Sequence, residues 1–90
     1  MKEKVMAIDR KYGHVTTEHG TIGEDEPVVV FRAQDKLLPK LLKIYRFLCE
    51  LAGSPEHHLA AIDDATRDVN AWQLAHGSKV RVPTSDSLSA

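Results

Sequence analysis

Glu24-Asp25-Glu26-Pro27-Val28-Val29-Val30-Phe31-Arg32-Ala33-Gln34-Asp35 reads as an acidic loop, a buried strand and a polar junction that opens a long helix. Three valines and a phenylalanine in succession have the β-branched and aromatic character of a strand. Pro27 suits a first strand residue, where no ladder donor is required. Asp35 suits a helix N-cap, because its carboxylate can accept the backbone N–H groups of the first turn.

Working outward, the segment before this stretch supplies candidate partners for the strand. Residues 4–9 are read as a short strand or a docked arm, and Lys11-Tyr12-Gly13 as a turn. His14-Val15-Thr16-Thr17 alternates polar and β-branched residues, as an edge strand does. Gly20 serves a turn and Thr21-Ile22 closes a hairpin. Beyond the stretch, the first helix is placed at 36–52, with Pro39 in its opening turn, where a missing N–H does least harm, and Gly53 as its stop. Ser54-Pro55 pairs an N-cap with proline at the first helical position, so a second helix follows at 55–76, ended by Gly77. Lys79-Val80-Arg81-Val82-Pro83 adds a small strand. The predicted fold is α+β: a small antiparallel sheet of three to four short strands (within about 4–33) packed against an antiparallel helical hairpin. It forms one domain over 1–83, followed by a flexible tail at 84–90.

Composition narrows the function classes. Ninety residues make one domain with a thin core, for which oligomerisation is a natural aid. The net charge of −1 gives no overall pull toward nucleic acid or anionic membrane. A single cysteine forms no internal disulfide and fits a reducing compartment. No apolar run is long enough to span a bilayer, and Met1-Lys2-Glu3-Lys4-Val5 has no apolar signal core, so the expected location is cytoplasmic.

The first helix carries most of the information. Leu37, Leu38, Leu41, Leu42, Ile44, Tyr45, Leu48, Leu51 and Ala52 fill an arc of roughly 180°. That is wider than one packing partner needs, and predicts a homo-oligomer. The opposite side carries Lys36, Lys40, Lys43 and Arg46, with Phe47 among them. The second helix has a narrower stripe of Leu59, Ile62, Ala65, Val69 and Trp72. The formal charges are +3 on the first helix and −3 on the second, histidines excluded. The plainer reading is two solvated faces. The sharper one is a basic stripe that meets helix two of another subunit or an anionic ligand.

Arg32, Lys36, Lys40 and Lys43 form the candidate anion-binding set, next to the amides of a helix start, with Phe47 or Tyr45 available to stack. Against it stands the simpler account, which carries more weight: Arg32 pairs with Glu24, Asp25 or Glu26, and Asp35 only caps. Phe47 suits a subunit interface better than stacking. Cys49 reads as a buried, inert thiol. His57 and His58 point about 100° apart on a helix, and no histidine pair has zinc spacing, so no metal site is expected. Asp64 and Asp68 share a face but read as solvated. Asp63-Asp64-Ala65-Thr66-Arg67-Asp68 is similar to the paired-aspartate motif of prenyl-transfer enzymes, but has Arg67 where the third aspartate belongs. No glycine-rich phosphate loop or convergent acid–base–nucleophile set occurs, so neither catalysis nor a cofactor is expected. A helix–turn–helix reading fails because Glu56, Asp63, Asp64 and Asp68 would face phosphates.

The opening stretch, followed by an amphipathic helical pair ending near Ala71-Trp72-Gln73, resembles small phage and prophage proteins over about residues 12–83. The resemblance implies a non-enzymatic binding protein acting on a host system, such as a defence component, through a host protein or an anionic nucleotide signal. The alternative is a small nucleic-acid-binding regulator that uses the basic stripe.

Overall fold

The computed structural model describes residues 8–20, 22, 23 and 25–84. The chain divides into two units, Phe31–Pro83 and the remainder.

The unit Phe31–Pro83 is a helical hairpin. Helix α1 spans Leu38–Ala52 and helix α2 spans Glu56–Ala75, close to the predicted 36–52 and 55–76. Helix α1 starts later than expected. The Asp35 carboxylate accepts the Leu37 N–H at 2.8 Å, and the Leu38 N–H reaches the Asp35 carbonyl at 3.1 Å. Asp35 thus shapes the turn before the helix, while Leu37 takes the N-cap position with no side-chain cap. Gly53 ends α1 as predicted, at φ 87°. The Ser54 N–H reaches back to Cys49 and the Gly53 N–H to Glu50, which satisfies two of the last carbonyls. Pro55, not Ser54, is the N-cap of α2, and no side chain caps it. Gly77 opens a 3-10 turn over Gly77–Lys79 beyond the helix end.

The core between the helices is thin. Among the described residues only Leu38, Cys49, Leu59 and Ile62 are buried, and no large side chain is fully enclosed. Cys49, Leu59 and Ile62 form one cluster, with Leu42 packed against it.

The polar junction ahead of α1 is held by residues from the far end of the hairpin. Asp35 and Arg81 form an isolated parallel bridge, with Arg81 N–H to Gln34 carbonyl at 3.0 Å and Lys36 N–H to Arg81 carbonyl at 2.9 Å. The Gln73 side-chain amide donates to the carbonyls of both Ala33 and Asp35. The small strand expected at 79–83 is therefore this one-residue bridge.

The predicted sheet is overturned. Among the described residues the only ladder is an antiparallel pair of two-residue strands, β1 (Ile8–Asp9) and β2 (Gly13–His14), around the predicted turn at Lys11-Tyr12. The apolar run at 28–33, read as the central strand, lies in no strand, and Val29 is 73% exposed. Residues 15–17 are not a strand either. Composition marks residues that tolerate a pleated, half-buried surface, but a strand also needs a neighbour to complete its hydrogen bonds. The expected contributions of residues 4–7 and Thr21, and the tail at 85–90, lie outside the described residues. In the second unit Lys11 donates to the Thr84 carbonyl at 2.7 Å, and its ammonium sits 5.5 Å from the Tyr12 ring centroid. No helix of the described residues is long and apolar enough to cross a membrane.

Candidate functional site

Helix α1 presents four longitudinal strips, and its sequence order sets their angles. One strip holds the buried Leu38 with Leu42 and Cys49, the latter two packed with Leu59 and Ile62 of α2. A second, with Arg46 and Glu50, borders α2 across a groove. A third holds Lys40 and Lys43 with Phe47 between them in angle, and the fourth is apolar.

The groove has a volume of about 590 Å³. Leu42, Lys43, Arg46, Phe47 and Glu50 of α1 form one wall, and Asp63, Thr66, Arg67 and Asn70 of α2 form the other. Of the predicted set, Lys43 and Phe47 line it; Arg32, Lys36 and Lys40 do not. Lys36, Lys40 and Lys43 are exposed, and Phe47 is half-exposed. Arg32 is exposed just before the turn at Ala33-Gln34, and its carbonyl accepts the Asp35 N–H. The structure therefore divides the predicted site into a groove-lining pair and three cations elsewhere.

Arg46, grouped with the lysines by charge, has a different role. Its Nε lies 2.7 Å from Asp63 Oδ1 across the hairpin, and Nη1 lies 3.6 Å from Glu50 one turn on. The hydrogen bond to Asp63 raises the Arg46 pKa above its ordinary value, with help from the charges of Asp63, Glu50 and Glu56 and against a small opposing effect of burial. Arg67 pairs with Asp64 at 3.1 Å along the exposed surface of α2. The groove is thus charged but largely self-neutralised, with Lys43 at its mouth.

Sequence reasoning missed the groove-lining Thr66, Arg67 and Asn70, and the Arg46–Asp63 pair. The pair was discoverable: Arg46 and Asp63 lie equally far from the Ser54-Pro55 turn, so folding the chain back on itself sets them opposite one another. Thr66 donates its hydroxyl to the Ile62 carbonyl and keeps that polar group satisfied at the groove floor.

Other reactive groups are engaged elsewhere. Cys49 is buried in the core. Tyr45 meets His58 edge-on at 6.3 Å between ring centroids. His76 stacks on Trp72 at 4.2 Å, and its Nδ1 lies 2.9 Å from the Trp72 carbonyl. Among the described residues no group of three or more His, Cys, Asp or Glu side chains is placed to hold a metal ion.

No family model, no curated protein and no solved structure matches the chain.

Proposed function

We propose that this chain is a non-enzymatic, phage-type binding protein that acts on a host system, such as a defence component, through the basic edge of α1. The observation that carries the reading is the row of exposed cations Lys36, Lys40 and Lys43 beside half-exposed Phe47, with Arg46 already neutralised by Asp63. Lys36 in the turn before α1 and Lys40 and Lys43 within it form a spread row, which suits an acidic patch on a host protein better than one compact anion. Phe47 supplies the aromatic contact that interfaces favour.

A nucleotide signal is the second reading, favoured by one feature. Lys43 and Phe47 line a groove whose volume of about 590 Å³ falls in the range of small-molecule sites. A nucleic-acid regulator is the weaker alternative, because the net charge is −1 and Glu50 and Asp63 stand beside the cations.

The test uses the triple charge reversal Lys36→Glu, Lys40→Glu and Lys43→Glu, which touches exposed residues only. Host proteins captured by the wild-type chain in a bacterial lysate should be lost by this variant and released by moderate salt. Calorimetry with cyclic dinucleotides should show no heat, unless the nucleotide reading holds, in which case Phe47→Ala abolishes it. Capture that is indifferent to charge reversal and to salt, together with a silent calorimeter, sinks both readings.

A further inference from the structure

The apolar arc of α1 is half used. Leu42 and Cys49 pack with Leu59 and Ile62 of α2 and Leu38 is buried, whereas Leu37, Leu41, Ile44, Leu48 and Leu51 are between 38% and 70% exposed. Their spacings of four, three, four and three residues keep them in a single strip along the helix, the pattern by which one helix packs into the holes of another. We infer that a second copy of this chain covers this strip, packing α1 against α1 across a two-fold axis.

Three observations choose a second copy over another occupant. The first is area. A half-exposed leucine or isoleucine leaves on the order of 100 Å² for burial, so these five residues with Tyr45 and Phe47 approach the roughly 800 Å² per partner of a standard interface. The second is the protomer's own core. Only four side chains are buried among the described residues and no large one is fully enclosed, which is little for a folded unit that must stand alone. The third is the border of the strip. A two-fold interface sets each border against a border of the copy, where like charges would repel. Within α1, Lys40 is the single charge at the positions flanking the strip; the others are Leu38, Tyr45, Phe47 and Ala52. In a parallel pairing Lys40 faces Tyr45 of the copy, and in an antiparallel one it faces Phe47, so a cation meets an aromatic ring either way. Lys40 and Phe47 border both this strip and the basic edge, so the two surfaces share them, whereas Leu37, Leu41, Ile44, Leu48 and Leu51 belong to the strip alone.

The test is mass in solution. Sedimentation equilibrium of the full chain at high micromolar concentration should give twice the 10.0 kDa of one chain. Ile44→Lys with Leu48→Lys should halve that mass while circular dichroism retains the helical signal. Should the charged variant unfold, Ile44→Cys provides an independent reading. Under mild oxidation it should form a covalent dimer, whereas Leu74→Cys, placed at an 89% exposed position on α2, should not. A single-chain mass for the wild type, an assembly that survives both lysines, or equal cross-linking at residues 44 and 74 overturns the inference. Burial of the strip by another segment of the same chain, or by a different protein, would appear as that single-chain mass.

Discussion

Gln73, near the end of α2, donates its side-chain amide to the main-chain carbonyl of Asp35 at 2.9 Å, and the same nitrogen reaches the Ala33 carbonyl at 2.9 Å. One side chain thereby satisfies two partly buried backbone groups in the turn that launches α1. Removing it takes the side-chain donor from the Ala33 carbonyl, while the Asp35 carbonyl keeps the Leu38 N–H, a loss of about 1–3 kcal/mol. Gln73→Leu should lower the urea midpoint accordingly. Gln73→Glu should be worse, because a carboxylate places oxygen against oxygen. A glutamate variant as stable as wild type would refute this assignment.

The Arg46–Asp63 pair should contribute modestly. Its side chains are 33% and 55% exposed, so solvent screens the attraction. A double-mutant cycle with Arg46→Met and Asp63→Asn should give a small favourable coupling at low salt, falling toward zero in high salt. A coupling that salt does not touch would mean that the pair is more enclosed than described.

Tyr45 carries a pH signature. A side-chain hydrogen bond and charge interaction with Cys49, one turn on, chiefly raise its pKa above the ordinary 10.0, with a smaller effect of burial. The folded chain therefore holds the phenolic proton more tightly than the unfolded chain does. This contribution is fully present below pH 10.0 and is lost as pH rises through the folded-state value. In a Tyr12→Phe background, ultraviolet titration should place the phenolate transition above 10.0, and Cys49→Ala should bring it back down. A midpoint that ignores the cysteine would remove the stated cause.

Gly53 sits at φ 87°, and a Cβ there would meet nothing within 4 Å. The cost of Gly53→Ala is then backbone conformation alone, about 1–2 kcal/mol. Thermal melts should show that loss with no change in the helical signal.

What the sequence made legible was the hairpin. Its signals are local: an apolar period, Gly53 in the left-handed region, and prolines where no donor is missed. The sheet was not legible, because Val28-Val29-Val30-Phe31 reports what a segment tolerates and not whether a partner strand exists. The same limit applies to the junction. Gln73 and Arg81 reach residues 33–36 from far along the chain, and no spacing rule links them. At the candidate site, the exposure of Lys40, Lys43 and Phe47 followed from their angle on α1, while Lys36 is exposed in the turn before it. The separation of Arg46 from that group required knowing what stood across the hairpin.

The bridge between Asp35 and Arg81 sets the two ends of the helical pair side by side, each hydrogen-bonded to the other. A segment whose entrance and exit are already joined asks little of whatever flanks it. Residues 31–83 should therefore be portable: spliced into a surface loop of an unrelated carrier, they should fold there without prying that loop apart and draw two carriers together through the α1 strip.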